Sequence, residues 1–216
     1  MAIATYENGS SGAVLLTVFQ QLRETARSAL RAASADPAGF VVAFTSAQSG
    51  EGVTYTVDTL LSELARDAET RTLLVPSSHL RGLTLPPRDL EYLVFPLPGP
   101  HPASVFELSD PAQLAVALAG PNSWDGSWHY RQECIETLRA NFDYVLIDTP
   151  ALRDANDVLA LAPLVDGVIV VVGADKTRKE QVLHVVRSIQ FARGKVLGHI
   201  LNKRSYLVPA WLYHRL

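Results

Sequence analysis

The sequence predicts an α/β domain: a doubly wound, mainly parallel sheet with helices on both faces. Three observations carry that prediction. Apolar runs of strand length recur along the chain, amphipathic stretches of helical period separate them, and a glycine turn joins the first strong run to the helix that follows. Strands alternating with helices in this way pair in parallel and need right-handed crossovers.

The elements follow in order. Residues 13–33 place Leu15, Val18, Phe19, Leu22 and Ala26 on one stripe, which predicts a first helix. "FVVAF" at 40–44 is uninterrupted and apolar, as a strand covered on both faces must be. After the turn, Val57, Leu60, Leu61, Leu64 and Ala65 fall at helical spacing. "TLLV" at 72–75 predicts a second strand and "YLVFPL" at 92–97 a third, weakened by Pro96. Eight of the 13 prolines lie between 86 and 121, so that stretch reads as a loop excursion with short elements. A helix over 128–141, strands at 143–150 and 167–172, a helix within 176–194 and a closing strand at 196–202 complete the pattern. The expected organisation is a flexible N-terminus at 1–12, a single domain over 13–204 and a tail at 205–216.

Composition narrows the function classes. The chain has 216 residues, enough for a sizeable core, and is 48% hydrophobic and 19% charged, which is ordinary for a globular protein. A formal net charge of −3 gives no broad basic face, and no nucleic-acid partner is expected. The single cysteine, Cys134, has no internal partner and reads as buried and inert. The N-terminus lacks the basic and apolar regions of a signal peptide, and the longest apolar stretch, 158–174, is broken by Pro163 and Asp166. The expected location is therefore cytoplasmic. The six histidines show no metal-ligand spacing with Cys134, and no nucleophile-elbow pattern accompanies the serines.

The chemistry, if any, lies in "SAQSGEGVTY" at 46–55. A phosphate loop works because backbone N–H groups of a glycine turn and the positive end of the next helix converge on an anion. Gly50 and Gly52 supply such a turn. In the pattern G-x-x-x-x-G-K-[ST] the lysine neutralises the terminal phosphates and the hydroxyl binds Mg²⁺. Here Val53 stands at the lysine and Thr54 at the hydroxyl, with Ala47 at the first glycine. The alternative reading of the loop is a strand-to-helix turn whose glycines only permit close packing.

Read together, "FVVAFTSAQSGEGVTYTVDTLLSELA", "RTLLVPSSHLR", "NFDYVLIDTPALRDANDVLALAPLVDGVIVVVGADKTRKEQV" and "KVLGHILNKR" resemble the bacterial tyrosine kinase family of capsule and exopolysaccharide synthesis. That family belongs to the MinD/ParA-like P-loop ATPases, and the likeness runs over residues 14–204. It implies a P-loop NTPase-like fold and a vestigial nucleotide site at Gly50, Gly52, Thr54 and Asn202, the last matching a position where relatives contact adenine. A strand-end asparagine bonding its own loop is the other reading of Asn202. Where relatives carry two loop lysines, this chain has Gln48 and Val53; where they carry Asp-x-Asp on the next strand, it has Pro76 and Ser78. Asp148 in "YVLIDTP" matches the Walker B aspartate. It either holds a metal-bound water together with Thr54, if Mg-nucleotide binds, or caps the turn before Pro150; we expect the capping role.

Arg23 is all that remains of a family helix motif used between subunits, and it reads as an ordinary solvated residue. Tyr206 and Tyr213, beside Leu207, Trp211 and Leu212, read as an anchor rather than a phosphorylated tyrosine cluster. The trio Trp124, Trp128 and Tyr130 reads as a loop fastened to the core.

The expectation is a pseudoenzyme with a degenerate Walker A loop and no cofactor. It would serve as a regulatory or scaffolding partner in exopolysaccharide or capsule synthesis or export. Its partner would be a protein, a membrane co-polymerase or an active homologue, with recruitment to the inner face of the cytoplasmic membrane and possible homo-oligomers. The rival is an ATPase or tyrosine kinase that uses ATP or ADP with Mg²⁺ and takes a basic residue from elsewhere, with Lys176, Arg178 and Lys179 as candidates.

Overall fold

The computed structural model describes residues 2–5, 12–31, 39–67, 69–77, 94–96, 105–108, 128–174 and 176–202. The elements run β1 (Ala2–Thr5), α1 (Gly12–Arg31), β2 (Phe40–Ser46), α2 (Val53–Leu64), β3 (Thr72–Pro76), β4 (Val94–Pro96) and β5 (Val105–Leu108). They continue with α3 (Trp128–Asn141), β6 (Tyr144–Asp148), α4 (Asp157–Leu161), β7 (Gly167–Gly173), α5 (Lys179–Phe191) and β8 (Val196–Asn202). One eight-stranded sheet has the order β1-β8-β7-β2-β6-β3-β5-β4, parallel throughout except for β4 against β5.

All seven residues of β2 are buried, as a continuous apolar run between two helical layers must be. Period-two alternation divides the sheet's side chains between two cores. Phe40, Val42, Phe44, Leu146, Ile169 and Val171 meet Leu15, Phe19 and Leu22 of α1 and Val57, Leu60 and Leu61 of α2. On the other face Val41, Ala43, Val145, Ile147, Val168 and Val170 meet Ile135 and Leu138 of α3, Val158 and Leu161 of α4, and Val185 and Ile189 of α5. The α2 stripe predicted from spacing is buried, as are Leu15, Phe19 and Leu22 of the α1 stripe; Val18 is half-buried, and the Ala26 side chain lies outside the described residues. Cys134 is buried, as expected.

Several expectations need correcting. Residues 2–5 are an edge strand, paired from Ala2 with Gly198 to Thr5 with Leu201, and not a loose lead-in. Four residues of small and β-branched type satisfy the open edge of β8, a long-range pairing that no local pattern announces. The proline-rich stretch holds β4, inside the strand expected at 92–97, and one further strand, β5; Pro96 sits on the edge strand, where proline is tolerated. The short helix α4 was hidden inside what reads as one apolar run. Arg23 is half-buried, its guanidinium 4.8 Å from the centre of the Tyr144 ring and hydrogen-bonded to the Tyr144 hydroxyl. Its stem and planar head pack α1 against the sheet. The 205–216 tail with Tyr206 and Tyr213, Ser78, and Trp124 lie outside the described residues, as do the side chains of Trp128 and Tyr130. Among the described residues no helix is long and apolar enough to cross a membrane.

Candidate functional site

In an open parallel sheet, ligands enter at the carboxyl ends of the strands where the strand order changes direction. Here that place is the end of β2, flanked by β6 on one side and β7 on the other. The chain leaves β2 through residues 47–52 and enters α2. Gly50 and Gly52 have φ of 79° and 92°, the left-handed region in which a Cβ is strained. Nothing lies within 4 Å of a Cβ built on Gly50, so conformation and not crowding demands glycine there. Gly52 precedes α2 without a side-chain cap, and its carbonyl accepts from the Thr56 N–H at 3.0 Å and the Thr56 hydroxyl at 2.8 Å.

The loop and the segment after β6 enclose a cleft of about 430 Å³, walled also by the end of β3. Thr54, exposed on the first turn of α2, donates its hydroxyl to Asp148 Oδ2 at 2.7 Å. The recorded bond of Asp148 therefore runs across the loop; the Thr149–Pro150 turn is tied by Thr149, whose N–H and hydroxyl both reach the Phe44 carbonyl. That corrects the capping role expected of Asp148. Its position at the sheet's carboxyl end, facing α2, leaves the turn to its neighbour.

Val53 is 8% exposed and packs with Phe44, Val57 and the rest of the α1/α2 core. A branched hydrocarbon thus takes the place of a charged head, and the cleft stays open rather than being filled. Pro76, in register with Asp148, lines the cleft with a ring that has no carboxylate. Among the described residues lining the cleft there is no lysine, arginine or histidine.

Burial pushes the Asp148 carboxyl above the usual carboxylate range; the Thr54 hydrogen bond works against that, and the negative charge of Asp58 adds to it. A folded-state pKa raised above the unfolded one contributes stability that is present at acid pH and is lost as pH rises through the folded value. Asp148→Asn keeps an acceptor for Thr54 and removes the charge. We expect its thermal midpoint at pH 7 to exceed that of the native chain, the gap closing as pH falls below the ordinary carboxylate pKa of about 3.9. Denaturation scans between pH 3 and pH 8 check this, and a midpoint that falls at pH 7 would contradict it.

Sequence reasoning missed Glu51. It is 1% exposed, and its carboxylate accepts the Ala47 N–H at 3.0 Å and the Thr177 hydroxyl. Its carbonyl accepts from Asn202 Nδ2 at 2.9 Å. One residue so fastens the loop to the β7–α5 connection and to the end of β8. The only sequence signal was its place between two glycines. Asn202 itself is buried, does not line the cleft, and holds the glycine loop through the Glu51 carbonyl. Gln48, at the early loop-lysine position, donates to Gln181 Oε1 at 2.9 Å, an oxygen that also accepts the Arg178 N–H at 3.0 Å. Lys176, Arg178 and Lys179 are exposed beside this junction, and none lines the cleft.

The oxygen donors of Thr54 and Asp148 suit a hard divalent cation. A Mg-nucleotide also needs positive charge around its phosphates and carboxylates around its metal. The residues at 53 and 76 supply neither, so the described residues of the cleft do not fit Mg-nucleotide chemistry. Among the described residues no group of three or more His, Cys, Asp or Glu side chains is arranged to hold a metal ion.

A parallel doubly wound sheet with a left-handed glycine loop feeding α2, and the Thr54–Asp148 pair beneath it, defines a P-loop protein. No protein-family model matches the chain. It is 33% identical over 180 residues, 76% of its length, to the succinoglycan biosynthesis transport protein ExoP of Rhizobium meliloti, and 33% identical over 82 residues to the tyrosine-protein kinase CpsD of Streptococcus agalactiae. The matches span 22% and 35% of those proteins, so the chain covers only about a fifth to a third of their length. Among solved structures, the VpsO kinase domain is 25% identical and superposes with a TM-score of 0.57, covering 87% of this chain and 99% of that one. The BceF tyrosine kinase domain has a TM-score of 0.61 at 18% identity, covering 89% and 77%, which shows the shared fold. The chain belongs to the bacterial tyrosine kinase family of MinD/ParA-like P-loop proteins.

Proposed function

We propose that this chain is a kinase-like P-loop protein that does not turn over nucleotide and that acts in exopolysaccharide or capsule synthesis or export by binding another protein. The observation that supports it best is the cleft: open, glycine-shaped, walled by Asp148 and Asp154, and without a cation among its described lining residues. Phosphoryl transfer is almost entirely positioning and neutralisation of charge, so a site without cations or the second carboxylate pair loses most of its catalytic power. The pathway is drawn from the names of ExoP and CpsD. A partner of this reading is a membrane co-polymerase or an active homologue, and the chain works at the cytoplasmic face of the membrane.

A second reading keeps the enzyme. The intact left-handed glycines and the 2.7 Å Thr54–Asp148 bond favour it, since these are the parts that would cradle a phosphate and its metal. In that case a basic residue must come from elsewhere in the chain or from a partner subunit. Incubation with Mg-ATP, reading ADP release and phosphotyrosine, separates the two. Our reading expects neither above a protein-free control, and sustained release or labelling would replace it with the second.

A further inference from the structure

Three carboxylates follow one another along the segment that leaves β6: Asp148, Asp154 and Asp157. Each is hydrogen-bonded to a hydroxyl from the opposite wall of the cleft. Thr54 of α2 holds Asp148 at 2.7 Å, Ser49 of the loop holds Asp154, and Ser77 at the end of β3 holds Asp157 at 2.9 Å in a buried contact. A backbone bond joins the same walls, with the Leu152 N–H donating to the Ser46 carbonyl at 2.9 Å. In nucleotide switches the loops around the phosphate are ordered by contacts from the terminal phosphate and its metal, and they are released when those contacts go. Here side chains of the chain itself join the same walls.

We propose that Ser49–Asp154, Thr54–Asp148 and Ser77–Asp157 form a built-in clasp that itself holds residues 148–157 against the loop and β3. The surface made by this segment and the loop is thereby assembled permanently rather than by nucleotide. The inference rests on the proposed loss of nucleotide turnover and deepens it: such a chain keeps one conformation for its partner and has no need of a switch.

Ser49 and Asp154 are both exposed, so substituting them tests the clasp with little risk to folding. Hydrogen–deuterium exchange of the full chain, followed at the amides of 151–156, is compared for the native protein, Ser49→Ala, Asp154→Ala and the double variant, with thermal midpoints as the folding control. A net hydrogen bond of ordinary strength predicts that each single variant exchanges roughly twofold to tenfold faster. The double variant should exchange no faster than either single one, because they remove the same bond. Adding 1 mM Mg-ATP, a concentration of roughly the weakest affinity worth testing, should leave the native pattern unchanged. Unaltered exchange in both single variants, or additive effects in the double, would overturn the clasp. The clasp and the reading it rests on fail separately: sustained ADP release with a non-additive cycle removes the reading and keeps the clasp, whereas an additive cycle without ADP release does the reverse.

Discussion

Asp166→Ala should lower the free energy of unfolding by about 3–5 kcal/mol. Asp166 is buried at the entry to β7, and one oxygen, Oδ2, accepts both the Val41 N–H at 2.7 Å and Arg139 Nη1 at 2.6 Å. Arg139 Nη1 also donates to the Gly39 carbonyl at 3.0 Å, so this ion pair ties the ends of α3 and β2 to the start of β7. The side chains of Arg139 and Asp166 are 11% and 6% exposed, and the remaining carboxylate near Arg139, Glu136, lies 3.6 Å away on the surface. Removing the aspartate strands a nearly buried guanidinium and an unpaired N–H, both costly in a medium that solvates charge poorly. For a domain of this size the loss corresponds to a fall in melting temperature of roughly 6–20 °C. Replacing both partners, as Arg139→Met with Asp166→Ala, should recover part of it, since no buried charge is then left alone. Thermal and urea denaturation of the three variants measure the effect.

Val53→Lys should raise affinity for Mg-ATP about tenfold to a hundredfold over the native chain, the worth of one charge-assisted contact of roughly 1.5–3 kcal/mol. The glycine turn is already in its left-handed form, Thr54 is in place, and the cleft is open. A lysine stem can follow the core wall that Val53 now occupies while its ammonium reaches the cleft. Turnover should stay absent, because Pro76 brings no carboxylate back. Titration calorimetry reads the first effect and ADP release the second. An unchanged affinity would mean that the loop has lost more than its charge.

The sequence made some of this legible and hid the rest for physical reasons. Central strands such as β2 and β7 announced themselves because burial on both faces forces continuous apolar runs, and α1 and α2 because one-sided burial imposes helical spacing. Edge strand β1 is short and half-satisfied, and its pairing partner β8 lies far along the chain, so nothing local marked it. At the site, Gly50, Gly52, Thr54 and Asp148 were found because backbone conformation and metal chemistry restrict residue type at fixed spacing. Glu51 and Thr177 escaped, and the bond from Asn202 to the Glu51 carbonyl was not foreseen, because these bonds join residues up to 151 positions apart. The hydroxyl–carboxylate bonds across the cleft escaped for the same reason: serine, threonine and aspartate are common in any loop, and only the fold sets them opposite one another.

The most direct test of the central claim is a calorimetric titration of the native chain with ATP in the presence and absence of Mg²⁺. The account predicts no binding heat up to millimolar nucleotide, a ceiling equivalent to about −4 kcal/mol of binding free energy. Saturable, Mg²⁺-dependent binding in the micromolar range would contradict it and would establish that the chain finds its missing positive charge elsewhere.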